Sequence, residues 1–335
     1  MSLDEETRAK TALVLGATGG IGGEVTRQLL ASGWTVRALT RRPPAEAAQA
    51  AGAEGIHWIA GDAMHASDVA AAAEGCAVIV HAVNPPGYRN WAGTVLPMLD
   101  NTIAAAIAQR ATVVLPGTVY NFGPDAFPVL HEDSPQNPVT RKGAIRAELE
   151  KRLRDATMRG ARAIVVRAGD FFGPRAGSSW FSQGLVVPGK PVTTIRTPSS
   201  RGVGHQWAYL PDVARTMLAL LERRDTLPAF CSVNMAGHWD EDGTEMVNAI
   251  QRVAARHGQQ AAIKPFPWWA MPLIAPFQPT IKELLEMRYL WKTPVRMSNE
   301  VLVRTLGTEP HTPLDEAVEH TLAGLGCLPT HVARK

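Results

Sequence analysis

The sequence predicts an α/β protein: a doubly wound parallel sheet followed by a smaller C-terminal lobe. Three observations carry that expectation. After a polar tail over residues 1–10, the chain opens on a strand–turn–helix unit with Gly16, Gly19 and Gly22 at a three-residue spacing. Short apolar strands then alternate with helical periodicities as far as Pro174, a pattern that implies parallel strands joined by right-handed crossovers. Beyond Pro174 the alternation lapses and Gly, Pro and Trp become frequent. The sheet domain is therefore assigned mainly to residues 11–174 and the lobe mainly to residues 175–330, with segments that return to the sheet. At 335 residues, 45% of them hydrophobic, the chain can bury a full core.

The opening unit runs over Thr11–Ser32. Leu13, Val14 and Leu15 form the strand; the helix carries Val25, Leu29 and Leu30 on one side and Arg27 and Gln28 on the other. Gly16 permits a sharp turn, Gly19 lets a pyrophosphate approach the backbone, and Gly22 lets the helix lie close to the strand. The helix start, with Thr18, Gly20 and Ile21 beside those glycines, offers amides and a positive dipole end to phosphates.

Thr35–Thr40 reads as the second strand and ends in Arg41-Arg42-Pro43-Pro44. NAD-preferring versions of this unit carry an acid about 20 residues after the glycines. Here no acid occurs between Val25 and Ala45. Two arginines suit a 2′-phosphate, which points to NADP, with NAD as the alternative. The other reading of Arg41 and Arg42 is a pair of solvated loop charges.

A helix is expected over Ala45–Ala53, a third strand over Ile56–Ala60 ending in Gly61-Asp62, and a helix over Ser67–Glu74 with Ser67 as N-cap. Ala77–Ala82 is the fourth strand. Ligands of such sheets sit at the carboxyl ends of the strands. Gly16–Gly22, Arg41, Asp62, Ala82 and Val83 then share one rim. Val95–Gln109 reads as a helix, and Thr112–Leu115 as a fifth strand running into Pro116-Gly117-Thr118-Val119-Tyr120. Lys142–Thr157 is the next helix; Glu148 and Glu150 are expected to pair with Arg152 and Arg154 on its solvated face. Ala163–Arg167 is the sixth strand. In the lobe, helices are expected over Asp240–His257, Ile281–Leu290 and Pro313–Leu325. Its tryptophans serve as core or as walls of an apolar pocket.

The net charge of +3, with no basic block, argues against a nucleic-acid partner. The three cysteines, Cys76, Cys231 and Cys327, are far apart and lack metal-ligand spacing. They fit a reducing cytoplasm with neither a disulfide framework nor a metal site. The first ten residues do not resemble a signal peptide. No stretch approaches the roughly 20 apolar residues that span a bilayer.

The order GATGGIG, Gly61-Asp62, VIVHA, GTVYNFG, HEDSP, RAGDFFGP and WAYLPDVA resembles the extended short-chain dehydrogenase/reductase superfamily, which includes NAD-dependent epimerases and dehydratases. The resemblance implies a Rossmann-type sheet over about Ala12–Leu221 and a nicotinamide cofactor. It also implies a catalytic Tyr, a Lys four residues later, and a Ser or Thr at the end of the fifth strand. Aligned on the family frame Tyr-Gly-x-Ser-Lys-x-x-x-Glu, this chain reads Lys142-Gly143-Ala144-Ile145-Arg146-Ala147-Glu148-Leu149-Glu150. Lys142 stands in the Tyr position and Arg146 in the Lys position. Counted back from Val119-Tyr120, the Ser position falls on Pro116; Gly117 or Thr118 fills it after a small shift.

The pattern resembles the atypical branch of the superfamily, whose members keep the cofactor site and vary the chemistry. Arg146 can contact a ribose or phosphate but cannot move protons, because its pKa exceeds about 12. Lys142, Tyr120 and Thr118 are the candidate catalytic residues. Lys142 read blandly is an exposed first-turn lysine, and His205 a structural hydrogen-bonder. The resemblance also implies that Asp212 is an N-cap or first-turn acid of a helix through Leu221. By the same analogy, the helices over Val95–Gln109 and Lys142–Thr157 pair in a homodimer.

Two functions follow. One is an NADP-dependent oxidoreductase, or epimerase/dehydratase relative, acting on a small carbonyl or hydroxyl substrate. The other is a redox sensor or scaffold that binds NADP without turnover.

Overall fold

The computed structural model describes residues 10–43, 55–85, 91–177, 179–275, 281 and 285–329. Its central sheet is built from β1 (Thr11–Leu15), β2 (Thr35–Thr40), β3 (Ile56–Ala60), β4 (Val78–His81), β5 (Thr112–Thr118), β7 (Arg162–Ala168) and β11 (Phe230–Asn234). The strands lie in the order β3-β2-β1-β4-β5-β7-β11, and every neighbouring pair is parallel. The order reverses at β1 and β4, so a crevice opens at the carboxyl ends of those two strands.

Helices cover both faces. On one lie α2 (Ala66–Ala73), α3 (Trp91–Gln109) and α4 (Arg141–Thr157), burying Leu13, Ile79, Leu99, Val113 and Leu153. On the other lie α1 (Gly20–Ala31) and α5 (Leu210–Glu222), burying Val14, Val25, Leu29, Val80, Val166 and Met217. Burial on both faces is why the inner strands read as unbroken apolar runs.

The remaining strands make three small sheets: β8 (Asp170–Phe172), β10 (His205–Tyr209) and β12 (His238–Asp240); β9 (Thr194–Thr197) with β13 (Ala262–Pro265); and β6 (Val129–Leu130) with β14 (Arg296–Met297). The lobe core gathers Phe172, Trp180, Phe181, Trp207 and Trp291 against α6 (Glu245–Arg256) and α9 (Leu314–Gly324). Trp180, Trp207 and Trp291 are therefore core residues, while Trp269 is 79% exposed. Short helices α7 (Met271–Ile274) and α8 (Glu300–Leu306) complete the chain.

Several elements depart from the sequence expectation. The fifth strand continues through Pro116 to Thr118, and Pro116 pairs with Val166 on β7. On its other side β4 pairs no further than Val114. Pro116 thus has no ladder neighbour there to miss its N–H. The helix expected from Ser67 starts at Ala66, with His65 as N-cap and no side-chain cap. The Asp68 carboxylate beside Ser67 instead accepts from the Asp62 amide at 2.9 Å. The helix expected from Asp240 starts at Glu245. Asp240 lies before it, and its carboxylate accepts from the amides of Glu245 and Met246 at 3.0 Å each.

Glu150 does not pair with Arg154 on a solvated face. It is buried and binds the fully buried Arg167 through an Oε2–Nη2 contact of 2.6 Å. Arg154 instead lies over the Phe230 ring at 4.1 Å. The expected Arg152–Glu148 pair does form, at 2.8 Å. The Ala45–Ala53 helix lies outside the described residues, as does part of Ile281–Leu290.

Candidate functional site

Two groups of residues meet at the carboxyl edge of the sheet. The first is made of backbone. Gly16 has φ +91°, and a Cβ there would lie 2.6 Å from the Ala82 carbonyl oxygen and 2.9 Å from the Val83 nitrogen. A Cβ on Gly22 would lie 2.2 Å from the Gly16 oxygen. These clearances show how closely the turn packs between β1 and β4. Gly19 is the N-cap of α1 with no side-chain cap bond, and the first turn holds no acid. The first bond of the helix runs from the Gly23 amide to the Gly19 oxygen at 2.8 Å. The amides of Gly20, Ile21 and Gly22 therefore have no intrahelical acceptor, and Thr18 and Gly19 are exposed beside them. This cradle fits a diphosphate.

Arg175 adds charge here, although it comes from the FFGPR turn and no spacing in the sequence ties it to the glycines. Its carbonyl oxygen lies 3.4 Å from the position of a Cβ on Gly20. Burial, and then the charge of Arg175, lowers the pKa of Arg27.

Arg41 and Arg42 are exposed just past the end of β2. Asp62 follows β3, where its Oδ1 accepts from the Met64 amide at 3.0 Å and shapes its own turn. Ala82 and Val83 leave β4 against Gly16.

The second group is made of side chains. Thr118, rather than Pro116, ends β5; its Oγ1 accepts from the Tyr120 amide at 3.2 Å. Pro116 is buried inside the strand. Gly117 has no room for a side chain, because a Cβ would lie 2.6 Å from Cγ of Arg167.

Lys142 follows N-cap Thr140, whose Oγ1 accepts from the Gly143 amide at 3.0 Å. A Cβ on Gly143 would lie 2.3 Å from the Tyr120 carbonyl oxygen, so the start of α4 packs directly on the Thr118–Tyr120 turn. Lys142 is 5% exposed, not a solvated first-turn lysine. Its ammonium lies 6.0 Å from the Trp91 ring centroid and the Arg146 guanidinium 5.2 Å from the same ring. Beneath them His81 Nδ1 bonds Thr102 Oγ1 at 2.8 Å. Complete burial, and then the Arg146 charge, pushes the His81 pKa down to about 3.

Tyr120 reaches the other way. Its hydroxyl donates to Asp170 Oδ1 at 3.1 Å, and His205 Nε2 lies 2.9 Å from Asp170 Oδ2. The His205 ring stacks on Trp291 with centroids 3.6 Å apart. Asp170 and His205 line a small cavity of about 10 Å³, room for about one water molecule, together with Val119, Gly169, Gln206, Leu290 and Val295. Tyr289 adds a buried hydroxyl; burial, then Glu286 and Asp170, pushes its pKa up to about 12.

Asp170 escaped sequence reasoning. It sits 50 residues from Tyr120 and 35 from His205, and no spacing rule joins them. Its one signal was its place directly after the sixth strand, at the ligand edge of the sheet.

Known proteins fit this geometry. Residues 16–167 match the NAD(P)H-binding family. UDP-glucose 4-epimerase from Brucella ovis, solved with NAD, superposes with a TM-score of 0.71 at 15% identity, covering 95% of this chain and 98% of that one. The fold is that of the extended short-chain dehydrogenase/reductases. Within that superfamily fold, MoeE5 in complex with UDP-glucose and NAD gives a TM-score of 0.69 at 18% identity, covering 94% of this chain and 98% of that one. UDP-N-acetylglucosamine 4-epimerase from Bacillus cereus gives 0.66 at 13% identity, covering 94% and 99%. The comparison with curated proteins returns no match. Among the described residues no helix is long and apolar enough to cross a membrane.

Proposed function

We propose that this chain is an NADP-dependent oxidoreductase, or an epimerase/dehydratase-type enzyme, acting on a small carbonyl or hydroxyl compound. The observation that carries the reading is the Tyr120–Asp170–His205 chain. It is a proton-bearing hydroxyl backed by a carboxylate and an imidazole, beside a cavity at the same sheet edge as the glycine turn.

The amides of Gly20, Ile21 and Gly22 hold the diphosphate, with Gly16, Thr18 and Gly19 giving it room. Arg41 and Arg42 hold the 2′-phosphate as charge-assisted donors. Asp62, Ala82 and Val83 would border the nucleotide along the rim, and Arg146 would be available to a ribose hydroxyl or a phosphate. The nicotinamide, when bound, supplies or accepts the hydride.

Thr118 orients the substrate oxygen from the end of β5. When a substrate hydroxyl is oxidised, the Tyr120 oxygen takes its proton while the tyrosine's own proton moves to Asp170 Oδ1. Reduction runs the same two transfers backwards. His205, fixed by its stack on Trp291, holds the carboxylate through Oδ2. Lys142 is the second candidate donor, and its buried ammonium also favours the oxyanion form of a substrate oxygen.

The test is NADPH consumption against a panel of aldehydes and ketones. Turnover with at least one compound is expected, falling by about 10²–10⁴-fold in Tyr120→Phe if the hydroxyl is the proton donor. Saturable NADPH binding with no turnover across the panel would favour the sensor or scaffold reading. That reading is motivated by Lys142 and Arg146 standing where the superfamily frame has Tyr and Lys.

A further inference from the structure

Away from the sheet edge, three metal-ligating side chains converge where α5, β12 and the segment after α8 meet. Asp212 lies in the first turn of α5, His238 in β12, and His311 between α8 and α9. One potential ligand atom from each lies within 4.8 Å of the other two. We propose that Asp212, His238 and His311 bind a divalent transition-metal ion of the zinc and cobalt kind.

The independent sign is His238. It is 8% exposed, and its Nε2 is buried with no hydrogen-bond partner among the described residues. Buried polar atoms are nearly always bonded, so an orphan nitrogen asks for a ligand. One side of its ring packs on Phe172, with centroids 5.6 Å apart, and His311 lies 4.5 Å away.

Asp212 is already oriented. Its Oδ2 accepts from the Thr312 amide at 2.7 Å, and its Oδ1 accepts from Thr312 Oγ1 at 2.8 Å and from Arg215. A carboxylate offers about four lone-pair positions, so one remains for an ion. Such outer bonds are what fix a ligating carboxylate.

Arg215 opposes a cation here. Its side chain is 45% exposed, so the guanidinium can turn to solvent when an ion enters. His311 is exposed and gives the route in. Two imidazoles and one carboxylate select zinc, cobalt, nickel or copper over magnesium or calcium, which prefer oxygen alone. Ligands of a tetrahedral ion at 2.0–2.1 Å are about 3.3 Å apart, so a pair at the 4.8 Å limit needs to close by about 1.5 Å. The sequence held no trace of this site, because its ligands come from three separate elements.

The test is titration of tag-free, EDTA-dialysed full-length protein with Zn²⁺ by calorimetry and with Co²⁺ by visible absorption. The expected result is about one equivalent bound, with the d–d bands of imidazole-ligated Co²⁺. Affinity should fall at least about tenfold in His311→Ala and in His238→Gln. His311→Ala alters only an exposed side chain, so it keeps the test valid if His238→Gln fails to fold. His57→Ala, an exposed histidine on β3, should bind as wild type does. Failure of the wild type to take up either ion, or equal binding by His311→Ala, overturns the proposal.

Discussion

The two halves of the sheet edge are built from different materials. At β1 and β4 the site is backbone: a left-handed Gly16, bare amides at the start of α1, and van der Waals clearances that only glycine satisfies. Around the ends of β5, β7 and β8 it is side chains: Thr118, Tyr120, Lys142, Asp170 and His205, with Asp170 joined to Tyr120 and His205 across 50 and 35 residues of sequence. A backbone site needs particular residues at particular spacings, so substitution there acts through sterics. A side-chain site needs only convergence, so substitution there acts through charge and hydrogen bonding.

The largest effect is expected on the side-chain half. Glu150→Ala leaves Arg167 as an uncompensated charge with no exposure, which should cost roughly 3–5 kcal/mol in denaturant unfolding. A loss below about 1 kcal/mol would mean that the pair is not what supports the β5–β7 edge under Thr118. On the backbone half, Gly22→Ala should cost about 3 kcal/mol and remove nucleotide binding, since its Cβ meets the Gly16 oxygen at 2.2 Å. Unchanged binding in that variant would show that the turn is looser than its clearances imply.

A smaller effect separates the two ends of the nucleotide. Arg41→Ala/Arg42→Ala should weaken NADPH by at least about 10–100-fold and leave NADH nearly unchanged, because even one charged hydrogen bond to the 2′-phosphate contributes about 1.5–3 kcal/mol. Equal loss for both nucleotides would return these arginines to the role of loop charges.

A separate effect is pH dependence. His238 and His81 have folded pKa values of about 4 and about 3, below the ordinary 6.5. The unfolded chain therefore binds more protons than the folded one below pH 6.5. Their contribution is complete above that pH and is lost as pH falls toward 4 and then 3. Thermal midpoints followed across that window should decline with acid, and less steeply in His238→Gln. An unchanged slope would show that His238 is not held neutral by burial.

Legibility followed the same divide. Gly16, Gly19 and Gly22, the Thr35–Thr40 and Ile56–Ala60 strands and the start of α4 near Lys142 were readable, because turn chemistry and hydrophobic period are local signals. Pro116 misled, since a proline inside a strand reads as its end; the vacancy beside β5 that tolerates it is tertiary. Glu150 misled because i,i+4 spacing offered Arg154, while burial delivered Arg167. Asp170 was missed because its partners Tyr120 and His205 meet it only in the folded chain.

The most direct test is a fluorescence titration of the full-length protein with NADPH and with NADH, repeated on Gly16→Val. Saturable NADPH binding is expected, at least about tenfold tighter than NADH and absent in the variant. No measurable affinity for either nucleotide, or undiminished binding by Gly16→Val, would contradict it.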